Sequence, residues 1–156
     1  MFKSLKELFQ KKVVEQESTL SEEQELQLAA AVLMFELIRC DGSTDKVELN
    51  YMAEILRNQF NLSDADLDEL FKLAKKSAED ATDLHRFTRA ICDKWGNSRR
   101  MKLLENLWMI SLADEEIDAH ERHLVRKVAG LMYLTESQIV QSRENAKRRL
   151  NIDDFA

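Results

Sequence analysis

Apolar side chains recur at intervals of three and four residues along nearly the whole chain, the spacing that lines one face of an α-helix. Residues 2–15 carry Phe2, Leu5, Phe9 and Val13 at this spacing and predict a short amphipathic helix, followed by a polar linker, Gln16 to Leu20. The polar face of that helix has both signs of charge, which favours docking on the protein's own body over a membrane surface. A second helix is predicted from Ser21, where Ser21-Glu-Glu-Gln24 has the form of a capping box: the serine oxygen accepts from an orphan amide and the glutamine returns the bond. From Leu28 to Ile38 this helix is apolar almost all round, so neighbours must enclose it and it is expected to be the central one.

Six more helices follow in the pattern. The third runs to about Phe60 with Val47, Tyr51, Met52, Ile55 and Leu56 on its inner stripe. The fourth is capped by Ser63 and turns Leu67, Leu70, Phe71 and Ala74 inward. The fifth, after Asp80-Ala-Thr-Asp83, presents Leu84, Phe87, Ile91 and Trp95, and Gly96-Asn97 is read as its left-handed C-cap. Ser98 opens a sixth, with Met101, Leu104, Leu107, Trp108 and Ser111 on one face; the seventh carries Leu124, Val125, Val128, Leu131 and Met132. Thr135-Glu-Ser-Gln138, a further capping box, opens a last helix ending near Leu150. The expected fold is all-α, a compact bundle of seven to eight helices with an internal pseudo-two-fold repeat. Residues 1–19 form a helix and linker, residues 20–150 a single helical domain, and residues 151–156 a frayed tail.

Composition sharpens this picture. The chain has no proline and three glycines in 156 residues, so tight turns are scarce and long helices with short polar loops are favoured over a many-stranded sheet. The length is that of one ordinary domain. The net charge of −6 argues against nucleic acid as a partner, because such binding rests on neutralising phosphates. No window approaches the roughly 18 apolar residues that mark a membrane span, and Lys3, Lys6 and Glu7 stand where a signal peptide needs an uncharged stretch. A cytoplasmic protein is expected, with any membrane association peripheral. Cys40 and Cys92 have no CxxC spacing and read as thiols of a reducing compartment.

The most informative feature is a recurrence. Cys40-Asp-Gly-Ser-Thr-Asp-Lys-Val-Glu48 aligns with Ala113-Asp-Glu-Glu-Ile-Asp-Ala-His-Glu121, and after one deletion Phe60-Asn-Leu-Ser63 aligns with Met132-Tyr-Leu-Thr135. Duplication of one helix–acidic loop–helix unit explains this order better than chance, giving halves of about 21–79 and 98–150. Each copy places Asp-x3-Asp-x2-Glu at the bend: Asp41, Asp45 and Glu48, then Asp114, Asp118 and Glu121. Two readings of these acids stand side by side. Asp45 and Asp118 sit where a helix N-cap belongs, with Glu48 and Glu121 at N3, so capping and the helix dipole account for them without a ligand. Asp41 and Asp114 are left over, and an all-oxygen donor set would suit a hard divalent cation, Ca²⁺ or Mg²⁺. The first loop is not an EF-hand, since Lys46 and Met52 stand where that motif needs glycine and glutamate. Were the two loops to meet, six carboxylates would crowd one patch, and their repulsion would raise some pKa values or recruit a cation.

An apolar helix ending in (Ala/Cys)-Asp-(Gly/Glu), then a short loop and a helix with glutamate in its first turn, given twice, resembles the TerB family of tellurite-resistance and stress modules. The resemblance covers roughly residues 25–148. It implies an all-helical bundle with pseudo-two-fold symmetry, acidic loops proposed to bind a metal or other ligand, and a scaffold or sensor role more than catalysis. The two loops differ, with Glu115 where the first has Gly42 and Ile117 where the first has Thr44, so two equivalent sites are not implied. The expected function is a non-catalytic, cytosolic stress-response module acting through protein partners, a second copy of the chain among the candidates. The alternative is a helical interaction scaffold whose acids are caps alone. His120-Glu-Arg-His123 is not HExxH and, with His85, reads as surface histidine. Arg99-Arg100-Lys102 reads as a solvated patch or a dock for an acidic partner, and Lys147-Arg148-Arg149 complements a helix C-terminus. No nucleophile motif or glycine-rich phosphate loop is present.

Overall fold

Two helices are buried almost all round, and five amphipathic helices pack about them. The computed structural model describes residues 21–40, 45–81, 83–113 and 118–150; the helix expected over 2–15 and the tail from 151 lie outside these residues. Among the described residues there are seven helices and no strand: α1 (Glu22–Arg39), α2 (Lys46–Phe60), α3 (Asp64–Asp80), α4 (His85–Lys94), α5 (Asn97–Ser111), α6 (Ala119–Leu131) and α7 (Glu136–Leu150).

Every residue of α1 from Leu26 to Phe35 is buried, and Leu37 and Ile38 follow. It is the central helix, in contact with α2, α3, α4, α5 and α6. The Ser21–Gln24 capping box forms as the sequence indicates, both bonds at 3.1 Å. At the far end Arg39 bonds Glu36 at 2.6 Å and the Ala78 carbonyl at 3.0 Å, tying α1 to the end of α3. Helix α5 is buried without a break from Leu103 to Ser111 and lies most extensively on α7, with further contacts to α1, α2 and α6. The buried apolar side chains form one continuous cluster that includes Trp95 and Trp108.

Two local expectations need correction. Gly96 is not a left-handed C-cap: its φ is −72°, and it is the N-cap of α5. Trp95 leaves α4 in an extended conformation, which carries its ring into the core, and α5 starts immediately. Ser98 therefore lies inside the first turn of α5. The left-handed bends occur instead at Asn61 (φ 54°) and Tyr133 (φ 60°). Behind each, a leucine amide reaches back to the helix just completed, Leu62 to the Arg57 carbonyl at 3.2 Å and Leu134 to that of Ala129 at 3.0 Å. Both leucines are buried, so the bend returns an apolar side chain to the core. The second correction concerns α2, where Val47 is 43% exposed while Glu48 is 3% exposed. Positions 48, 52, 55 and 56 share the inward face of α2, and Val47 falls about 100° off that stripe.

Candidate functional site

The acidic bends carry the same geometry twice. Asp45 is extended (φ −84°, ψ 126°), and its carboxylate accepts from the amides of Val47 at 2.7 Å and Glu48 at 3.4 Å. Asp118 is extended (φ −69°, ψ 141°) and accepts from His120 at 2.7 Å and Glu121 at 3.3 Å. Both aspartates are therefore N-caps, satisfying amides that a helix start leaves without partners. Glu48 and Glu121 at N3 are each 3% exposed. Behind Glu48 lie Met52, Ile55 and Leu56; behind Glu121 lie Val125, Val128 and Ala129, at matching intervals.

Burial at N3 exceeds what capping requires, because a capping-box glutamate needs only to fold back along the surface to the N-cap amide. A carboxylate at that depth must be compensated by hydrogen bonds or by opposite charge. Asp41 and Asp114 lie outside the described residues. Among those described, no three of His, Cys, Asp and Glu are grouped so that they could hold a metal ion. Each bend offers one aspartate and one glutamate, hard oxygen donors of the kind Ca²⁺ and Mg²⁺ take. Further oxygens would have to come from outside that pair, since calcium takes six to eight.

The other candidate side chains are tied into the fold or face solvent. His85, His120 and His123 are exposed. Cys40 and Cys92 are free thiols, the latter 3.7 Å from the Leu131 carbonyl. In the basic run of α5, Arg99 and Lys102 are exposed and Arg100 is half-buried: Arg99 lies over the Trp95 ring at 4.2 Å and pairs with Glu23, and Arg100 donates to the Met132 carbonyl at 2.5 Å. Lys102 approaches Glu105 at 3.7 Å. At the end of α7, Lys147 pairs with Glu144, and Arg148 bonds Asn145.

Arg149 belongs to a polar cluster that the apolar periodicity conceals. It donates to Glu105 at 2.8 Å and to the Asn106 amide oxygen at 3.3 Å, while the Asn106 nitrogen donates to Gln59. Glu105 and Asn106 are buried in the middle of α5. They join α2, α5 and α7 beside a groove of about 310 Å³. The available signal was two polar residues inside the run Leu103–Ile110, which a stripe of one in three or four passes over.

An all-α bundle in which two bends each supply a capping aspartate and a buried glutamate defines the class of protein. The chain matches the family described as tellurite resistance protein TerB across residues 27–144, and it belongs to that family. Its fold is similar to the crystal structure of a protein of unknown function from Porphyromonas gingivalis. The two are 21% identical, with a TM-score of 0.60 over 83% of this chain and 98% of that one. No curated protein matches the chain. Among the described residues, no helix is long and apolar enough to cross a membrane.

Proposed function

We propose that this TerB-family chain is a non-catalytic stress-response module of the cytoplasm that works through protein partners and binds a divalent cation, Ca²⁺ or Mg²⁺, at its acidic bends. The observation that carries the reading is the burial of Glu48 and Glu121 directly behind the capping aspartates. Capping accounts for Asp45 and Asp118, whereas the glutamate drawn under the same helix start adds a second carboxylate to each bend. A bound cation would bridge the two carboxylates and hold the bend in one conformation. Asp45 and Glu48 would contribute at the first site, Asp118 and Glu121 at the second, together with Asp41 and Asp114 by position in sequence. The reading as a non-enzyme rests on the sequence, in which no nucleophile stands in a recognisable motif beside a base.

A second reading, a helical scaffold whose acids only cap, is favoured by the 2.7 Å bonds from Asp45 and Asp118 to backbone amides. Titration calorimetry of the whole chain with Ca²⁺, Mg²⁺, Mn²⁺ and Zn²⁺ separates the two. Saturable heat that weakens in Asp41→Asn and Asp114→Asn is the expected result. No heat at millimolar ion would select the scaffold.

A further inference from the structure

The face between α6 and α7 has chemistry opposite to that of the acidic bends. A cavity of about 250 Å³ lies there, floored by Trp108 of α5 and walled by Arg122 and Arg126 of α6 and by Ile139, Val140 and Arg143 of α7. Arg126 is committed: it forms a two-pronged pair with Glu136, both bonds at 2.9 Å. Among the described residues, neither Arg122 nor Arg143 has a carboxylate partner. Arg143 lies over the Trp108 ring, 5.8 Å from its centre. Two donors are buried at this point with no acceptor, the Arg143 Nε–H and the indole N–H of Trp108, whose side chain is 1% exposed. Buried donors are usually paired; the Trp95 indole N–H and the Arg100 Nε–H also lack an acceptor, and what sets Trp108 and Arg143 apart is the arginine-lined cavity they border.

The other half of the chain shows what the position looks like when it is simply packed. With Asp45 aligned on Asp118 and Ser63 on Thr135, Trp108 corresponds to Phe35 and Arg143 to Phe71, and those two phenylalanines meet edge to face at 6.5 Å. Arg122 and Arg126 correspond to Leu49 and Ala53, both packed against the core. An apolar contact in one half is thus replaced in the other by guanidinium groups and an indole N–H around a cavity.

We propose that this cavity binds a small oxyanion of the phosphate class, held by the Arg122 and Arg143 guanidinium groups and the Trp108 indole N–H. The polar side chains that line the cavity are all donors, and among the described residues Arg122 and Arg143 have no carboxylate partner. Arginine forks match tetrahedral oxyanions in shape and charge. Donors come from three helices, which suits an anion with three or more acceptor oxygens better than a planar monovalent carboxylate. Ile139 and Val140 supply an apolar wall, so a phosphate monoester with a small organic group fits as well as the free ion.

The chain has two tryptophans, so its two indole N–H signals in a nitrogen–proton correlation spectrum report the site directly. Titrating the full chain with inorganic phosphate, against sodium chloride at matched ionic strength, is expected to move the Trp108 signal saturably and leave that of Trp95 in place. Arg122→Gln alters an exposed side chain outside the core and should weaken binding about tenfold, the size of one lost charge-assisted hydrogen bond. Arg143→Gln should do the same. Phenyl phosphate binding more tightly than inorganic phosphate would identify an ester, and equal binding the free ion. The proposal is overturned if chloride moves the signal equally, if acetate binds as well as phosphate, or if Arg122→Gln titrates like the parent.

Discussion

Removing the carboxylate of Asp45 or Asp118 separates the two roles open to these acids. Each aspartate accepts one short amide bond of 2.7 Å and one longer bond of 3.3–3.4 Å. Truncating an N-cap of this kind costs about 1 kcal/mol. Losing the anion at a helix start adds about 0.5 kcal/mol more. Asp45→Ala and Asp118→Ala are therefore each expected to cost about 1.5 kcal/mol. Because they cap different helices, the double variant should lose about 3 kcal/mol. Against a total stability of about 5–15 kcal/mol this is a large fraction, and each single change should lower Tm by about 3–6 °C.

Asparagine is the informative control. It keeps an acceptor oxygen for the same amides and loses only the charge, so Asp45→Asn and Asp118→Asn should cost about 0.5 kcal/mol when divalent ions are chelated. Urea unfolding in EDTA supplies these values. Repeating it in calcium or magnesium tests the cation: a ligand of the folded state stabilises the parent by mass action, and the asparagine variants should gain less. If asparagine costs as much as alanine in EDTA, or alanine costs nothing, the capping bonds do not contribute as argued. If added ion stabilises parent and variants equally, these carboxylates are not its ligands.

Three further outcomes follow from single residues. Leu33→Ala, at a side chain 1% exposed in the middle of α1, should cost about 3 kcal/mol through the lost contacts and the cavity left behind, read by urea unfolding. Tyr133 is 80% exposed and held at φ 60°, so Tyr133→Asn should stabilise the protein by about 0.5–1 kcal/mol, raising Tm. The Arg126 guanidinium hydrogen-bonds the Glu136 carboxyl and holds it below the ordinary carboxylate range. A depressed pKa gives stability that is present above the unfolded value and lost as pH falls through the folded one. The Tm difference between the parent and Glu136→Gln should thus be small at neutral pH, as for an exposed pair, and vanish in acid.

The sequence signals that survived folding were those in which a local hydrogen bond and the hydrophobic pattern agree. Ser21–Gln24 and Thr135–Gln138 close as capping boxes, and each opens a helix held by a buried face: the apolar run from Leu26 in α1, and Ile139, Ser142 and Ala146 in α7. The signals that misled were those in which one residue's preference competed with packing. Glycine suggests a left-handed bend, but at Gly96 no bend is needed, since Trp95 and the start of α5 are joined by extended backbone. Tyrosine disfavours that region, yet Tyr133 occupies it because Leu134 must return to the core. Val47 is apolar and Glu48 charged, but α2 packs with Met52, Ile55 and Leu56 inward, and that face carries Glu48 rather than Val47.

Of the candidate sites, the acidic bends were legible because their residues are close in sequence and repeat. Capping by Asp45 and Asp118 could be read from spacing, whereas the burial of Glu48 and Glu121 depends on how α2 and α6 are rotated against the core. The arginine cavity was not legible. Arg122 and Arg126 are four residues apart on one helix and Arg143 lies on another, a spacing that an ordinary solvated face shares. What distinguishes them is the alignment of the two halves of the sequence, which sets each opposite an apolar side chain packed against the core, Leu49, Ala53 or Phe71. The helix phase is the same in both halves, since the stripe through Glu48, Met52, Ile55 and Leu56 corresponds to Glu121, Val125, Val128 and Ala129. A shared phase permits one half to change its chemistry without changing its backbone. Phe35 and Phe71 fill their space with ring contact; Trp108 and Arg143 put donors there instead. Packing stability alone would favour the first arrangement, because buried N–H groups without acceptors cost energy that phenylalanine does not. An exchange in that direction is one a bound anion would repay.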